Sequence, residues 1–139
     1  MTAVKAYAAL SPATALEPFQ FERRALKPHD VLIEILFSGV CHSDLHQARD
    51  EWGGSIYPMV PGHEIVGKVV LVGEHVKKFK AGDTAGVGVM VDSCRECKPC
   101  NDLLEQYCVE GMTGTYNNYE RDKSAIAQGG YSTMIVTDE

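Results

Sequence analysis

Apolar and polar positions alternate with period two along much of this chain, and stretches of helical period are few. Val31, Ile33, Ile35 and Phe37 alternate with Leu32, Glu34, Leu36 and Ser38, which predicts a strand over 30–38. Residues 64–72 are rich in β-branched side chains and end at Gly73, and residues 84–91 follow the turn Ala81-Gly82-Asp83; each predicts a strand. Further strands are expected over 4–9 and 131–137. A single early helix is expected over 43–50, started by Ser43 or Asp44 as N-cap and carrying His46. Short strands at close spacing, punctuated by Gly and Pro, predict a mainly β domain, a small antiparallel barrel or sandwich. Residues 92–110 break the pattern: they hold too little apolar surface to fold unaided and read as an excursion from the barrel.

Composition narrows the possibilities. With 139 residues the chain is expected to be one domain, able to bury roughly two thirds of its unfolded surface. Acidic side chains outnumber basic ones 19 to 13, for a net charge of -6, and the one short basic cluster is Lys77, Lys78 and Lys80. That disfavours nucleic acid and anionic membranes as partners, since both require clustered Lys and Arg. No apolar run approaches the length needed to span a bilayer, and Met1–Leu10 does not read as a secretory signal. Five cysteines, an odd number, fit reduced thiols in the cytoplasm better than a disulfide framework.

The cysteines divide into four and one. Cys94, Cys97, Cys100 and Cys108 stand as C-x2-C-x2-C-x7-C inside the polar excursion. A closed set of four thiolates is what a structural zinc site needs, and it would supply the cross-link that the missing core cannot. Thioredoxin-like redox motifs come as one pair, so the two overlapping pairs favour metal. A nucleic-acid zinc ribbon is disfavoured because Asp92, Glu96, Asp102, Glu105 and Glu110 outnumber Arg95 and Lys98. The fifth cysteine, Cys41, closes a predicted strand and His63 opens one. Each follows a glycine, Gly39 or Gly62, where the backbone could turn sharply enough to aim both side chains at one point. Alone, so distant a pair is weak support for an open metal site.

The residues around that pair change the reading. Gly62-His63-Glu64-x-x-Gly67-x5-Gly73-x-x-Val76 matches the zinc-site signature of the zinc-containing alcohol dehydrogenases in the medium-chain dehydrogenase family. Gly39-Val-Cys-His-Ser-Asp-Leu-His46 and Asp92-Ser-Cys-x-x-Cys-x-x-Cys100 resemble two more of its motifs, in family order. The resemblance runs from about Lys5 to Glu139 and is nearest in wording to the cinnamyl-alcohol-dehydrogenase-like subgroup. It implies a GroES-like, partly open antiparallel barrel with short helices and a zinc-bound lobe at about 92–110.

The resemblance also implies roles. Cys41 and His63 would be ligands of a catalytic zinc, and Cys94, Cys97, Cys100 and Cys108 would hold a structural one. Asp44 would orient His63 from behind, Ser43 would hydrogen-bond the reacting alcohol oxygen, and His46 would end a relay carrying its proton to solvent. His42 would face the cofactor pyrophosphate. Trp52 and Tyr57 would line the substrate pocket, with packing at the barrel edge as the alternative. Glu64 lies behind the zinc in the family, while strand alternation points it away from the face that His63 uses. Either the strand starts irregularly or Glu64 is a support, and the support role is expected.

The implied reaction is hydride transfer between a small alcohol or aldehyde and NADP(H) or NAD(H). No G-x-G-x-x-G opens a helix after a strand, and Gly86-Val-Gly88 falls inside a strand pattern. A nicotinamide-binding domain and a third catalytic-zinc cysteine are therefore expected beyond Glu139, with residues 1–139 as the catalytic domain of a larger, homo-oligomeric enzyme. The alternative is a zinc-binding module with no turnover of its own, open to self-association.

Overall fold

The computed structural model describes Thr2–Glu139, and Met1 lies outside the described residues. Strands β1 (Thr2–Ala8) and β2 (Glu17–Arg23) form an antiparallel pair. The main sheet has the order β10-β3-β4-β5, built from β3 (Asp30–Ser38), β4 (Ile65–Val72), β5 (Thr84–Val87) and β10 (Met134–Asp138). Two small pairs complete the set: β6 (Met90–Asp92) with β7 (Thr113–Gly114), and β8 (Asn118–Tyr119) with β9 (Ile126–Ala127). Helix is scarce, limited to α1 (His42–Ala48), α2 (Lys98–Asn101) and a 3-10 turn at Glu105–Tyr107. The domain is mainly β as expected, with open sheets; among the described residues no barrel closes.

Alternation decides which faces are buried. Val31 and Ile33 of β3, Ile65 and Val69 of β4, Ala85 and Val87 of β5 and Ile135 of β10 point inward and pack as one cluster. Burial of each large aliphatic side chain contributes about 1.5–3 kcal/mol. A second, smaller cluster joins Ala6 and Ala8 of β1 to Val60, with Phe19, Phe21 and Tyr131 against it.

The structure departs from the sequence reading at several points, and β10 begins at Met134 where a strand over 131–137 is expected. The strand expected over 84–91 is broken at Gly88 and Val89, because Thr115 takes both their carbonyl oxygens, the first through its hydroxyl and the second through its N–H at 3.0 Å. The chain thereby leaves the main sheet for β6. Strand β2 was not anticipated: only Phe19 and Phe21 mark its inner face, and Pro18 argues against a strand, yet a proline is tolerated where its missing N–H faces no ladder partner. The helix begins at His42 with Cys41 as N-cap, ahead of the Ser43 or Asp44 start that was expected. Asp44 instead sits one turn in, where its carboxylate Oδ2 accepts the Cys41 N–H at 3.0 Å. The α1 chain ends with Asp50 in the left-handed region at φ 55, followed by Gly53 and Gly54.

Candidate functional site

Cys41 enters the site from the end of β3 and His63 from the segment before β4, which pair with each other at Ser38 and Ile65. The two glycines do different work. Gly62 has φ +103, and a side chain there would run into Tyr131 and the Ser38 hydroxyl. Gly39 has an ordinary backbone; it is needed for space, since a Cβ would overlap the Glu64 carboxylate. Gly39 N–H also donates to the Glu64 carbonyl at 2.8 Å, locking the two segments side by side.

One ligand atom each from Cys41, His63 and Glu64 lies within 4.8 Å of the others. The alternation argument about Glu64 fails for a simple reason: β4 starts at Ile65, so His63 and Glu64 precede the pleat and can face one point. Sulfur, imidazole nitrogen and carboxylate oxygen are each donors that zinc takes, and three protein ligands leave a fourth position open, as in catalytic sites. The donor chemistry therefore fits the implied ion.

Asp44 organises this set. It is 2% exposed and accepts three hydrogen bonds besides facing His63. Oδ1 accepts the Gly62 N–H at 3.0 Å and faces His63 Nδ1 at 3.4 Å. Oδ2 accepts the Cys41 N–H and the Tyr131 hydroxyl, both at 3.0 Å. With Nδ1 turned to a carboxylate, His63 keeps the lone pair of Nε2 free for a metal. Tyr116 stacks against the imidazole, centroids 5.8 Å apart and planes 11° from parallel. Burial first, then the Asp44 carboxylate, raises the phenols of Tyr116 and Tyr131 well above the usual tyrosine range. Sequence reasoning missed both tyrosines, which come from segments far along the chain with no motif of their own.

The other expected residues gather along α1. Ser43 stands half-buried in the first turn of α1. His46 bonds through Nδ1 to the Glu51 carboxylate and stacks on Trp52 at 4.8 Å, with His42 at 6.4 Å on the same helix. The His46 contact holds the Glu51 carboxyl below the usual range. Trp52 is 60% exposed, and Tyr57 turns its hydroxyl to the Ala48 carbonyl at 2.8 Å, securing the end of α1. Glu51 was another residue the sequence did not single out.

The second cluster is local in sequence. The sulfurs of Cys94, Cys97, Cys100 and Cys108 lie within 4.8 Å of one another, with Cys94 to Cys100 at 3.8 Å and Cys97 to Cys100 at 3.4 Å. Sulfurs about 2.3 Å from one tetrahedral ion would stand about 3.8 Å apart, so this cage fits zinc. The backbone N–H groups of Glu96 and Cys97 pull the Cys94 thiol down to about 6, favouring thiolate. Arg95, between the first two cysteines, ties the lobe to the body: it reaches Asp92 at 2.7 Å and Asp138 of β10 at 3.2 Å.

The open antiparallel β domain thus carries the donor sets for two metal ions, one a closed four-thiolate cage and one a three-donor cluster. Residues 27–139 match the family model described as the alcohol dehydrogenase GroES-like domain, and the chain belongs to that family. It is 54% identical over 136 residues to the aldehyde reductase YahK of Escherichia coli, covering 98% of this chain and 39% of that protein. It is also 54% identical to the NADP-dependent alcohol dehydrogenase C 1 of Mycolicibacterium smegmatis, across 100% of this chain and 40% of the relative. Among solved structures, the CAD of Helicobacter pylori complexed with NADP(H) superposes with TM-score 0.93 at 47% identity, over 99% of this chain and 40% of that one. A cinnamyl alcohol dehydrogenase of Sorghum bicolor gives TM-score 0.94 at 43% identity, over 99% and 39%. The chain thus spans about two fifths of the length of these relatives.

Proposed function

We propose that this chain is the metal-binding and substrate-binding part of a zinc-dependent alcohol dehydrogenase or aldehyde reductase that works with NADP(H). The observation that carries the reading is the convergence of Cys41, His63 and Glu64 ligand atoms within 4.8 Å, backed by the Asp44 carboxylate at His63. Cys41, His63 and Glu64 would hold a zinc ion, which when bound would act as a Lewis acid on an alcohol or carbonyl oxygen. NADP is favoured over NAD by the named cofactor of the relatives, and the groups that hold it would be supplied by a domain outside this chain.

The remaining chemistry belongs to the protein. Ser43 donates to and accepts from the reacting oxygen, and His46 takes the proton at Nε2 because Nδ1 is committed to Glu51. Glu51, partly exposed, stabilises the imidazolium that results. His42, exposed on α1, is placed to meet a cofactor phosphate, and Trp52 and Tyr57 to border the substrate. The four-cysteine lobe carries a structural zinc.

Two measurements test this. Metal analysis of the purified chain should give one firmly held zinc, lost in the lobe variants, and a weaker second one that Cys41→Ser and Glu64→Ala each remove. Aldehyde-dependent NADPH oxidation should appear only when the chain is joined to a nicotinamide-binding domain. The isolated chain should be inactive, because placing both reactants contributes roughly 7–11 kcal/mol to such steps. A second zinc indifferent to Cys41 and Glu64, or turnover by the chain alone, would overturn the reading.

A further inference from the structure

We propose that Tyr131 is a positioning residue for the Cys41, His63 and Glu64 centre, held from behind by the buried Arg23; the inference rests on reading those three residues as a metal site. The Tyr131 hydroxyl hydrogen-bonds Asp44 and none of the three candidate ligands. It donates to Asp44 Oδ2 at 3.0 Å, while Asp44 Oδ1 faces His63 Nδ1. A carboxylate can turn about its last bond, and its orientation is set by what each oxygen accepts. The Cys41 N–H and the Tyr131 hydroxyl together occupy Oδ2, which leaves Oδ1 directed at Gly62 and His63. Without the phenol, one Oδ2 position is vacant and only the Cys41 and Gly62 N–H groups hold the carboxylate, so Oδ1 is less firmly aimed at the imidazole.

The phenol is placed by an unusually complete set of backbone contacts. Tyr131 N–H donates to the Pro61 carbonyl and Tyr7 N–H to the Tyr131 carbonyl, both at 2.9 Å, so the residue bridges β1 and the strand entry that carries His63. Gly129 and Gly130 N–H groups bond Val60 and Gly62 carbonyls at 2.7 and 2.9 Å. The outward carbonyls of this turn converge on one side chain, Arg23 at the end of β2, which is 7% exposed. Its guanidinium donates to the carbonyls of Gln128, Gly129 and Met134 and to the Ser132 hydroxyl, and lies 4.7 Å from the centre of the Phe21 ring. A buried cation satisfied by three acceptors in this turn and a fourth at the start of β10 has the geometry of a clamp. The chain of contact runs Arg23, turn 128–132, Tyr131, Asp44, His63.

The test is Tyr131→Phe in the full chain, read first by proton–nitrogen correlation NMR of the His63 ring. The parent should hold the proton on Nδ1, and the variant should show both tautomers in exchange. Cobalt titration gives the second readout. Partners that orient a metal-bound histidine typically change affinity roughly 10- to 100-fold, so uptake at the open site should weaken by that much while the four-cysteine site is unmoved. A Tyr131→Phe chain with the parental tautomer and cobalt uptake within about twofold would overturn the proposal. Cys41→Ser separates the two ideas: if it takes up cobalt as the parent does, the metal reading fails, and the His63 tautomer alone decides the place of Tyr131. Should Tyr131→Phe not fold, the parent decides, since a Tyr131 hydroxyl proton exchanging as fast as an exposed phenol would overturn the contact with Asp44.

Discussion

Asp44 is the residue on which most contacts in the site depend, because one buried carboxylate serves as partial cap of α1, anchor of the Cys41 and Gly62 backbones, and partner of His63. Two substitutions separate these duties. Asp44→Ala leaves several buried donors without an acceptor, each costing about 1–3 kcal/mol, so urea unfolding should show a loss of more than about 3 kcal/mol. Asp44→Asn keeps the size and part of the accepting capacity but removes the charge facing Nδ1. It should fold with a smaller loss, and zinc uptake at the open site should fall roughly 10- to 100-fold. Equal zinc affinity in Asp44→Asn and the parent would show that the carboxylate has no hold on His63. Cys41, His63, Asp44, Ser43 and His46 were legible because they stand in two short motifs. Tyr131 and Glu51 were not, since their contacts arise only when separate segments meet.

At the scale of elements, strands with clean alternation were legible to within a residue or two, as β3 and β4 illustrate. The reading failed where side chains from elsewhere compete for backbone groups: Thr115 ends β5 at Gly88, and no pattern within 84–91 signals it. The cysteine lobe is the opposite case, with all its ligands inside fifteen residues, Cys94 to Cys108. Having almost no apolar core, it should owe its order to the ion, and structural zinc contributes on the order of 10 kcal/mol to small modules. Cys97→Ser should therefore release one zinc and open 92–110 to limited proteolysis, while the strands outside the lobe stay protected. Proteolysis at the parental rate would sink the idea. Arg23 should be as intolerant as a core residue: Arg23→Met strands the Gln128 carbonyl and leaves those of Gly129 and Met134 to share the Ser132 hydroxyl, and the melting temperature should drop accordingly.

For the whole molecule, two behaviours follow from groups that no single element explains. Tyr116 and Tyr131 ionise less readily in the fold than their ordinary value of 10.0, through burial and then Asp44. The folded state thus favours the neutral phenols, and their contribution is complete below about pH 10 and declines as the pH rises above it. Unfolding free energy should fall above pH 10, with a slope reduced in Tyr116→Phe and again in Tyr131→Phe; a flat profile to pH 12 would contradict the raised phenols. The second behaviour is association. Phe37, 72% exposed, lines a cleft of about 530 Å³ together with Phe19, Ile35, Leu36 and Tyr131, and Val40 is 73% exposed. Apolar surface of this kind favours contact between copies. Sedimentation should show concentration-dependent association of the isolated chain, diminished by Phe37→Lys; a strict monomer at high concentration would refute it.

What the sequence determined by itself was the set of local facts: which stretches alternate, that four thiols share one short loop, and that Cys41 and His63 sit in wording shared with a family. Those depend on neighbours along the chain, and short-range sterics and motif spacing are enough to read them. The tertiary structure alone decided that Glu64 joins Cys41 and His63, because β4 begins one residue later than its alternation suggests. It alone brought Tyr116 and Tyr131 to Asp44 and His63, and Arg23 to the turn behind them. Such contacts form by packing one sheet against another, and the side chains that make them carry no local signature, since a tyrosine that orients a carboxylate and one that merely fills a core read alike until the sheets have closed.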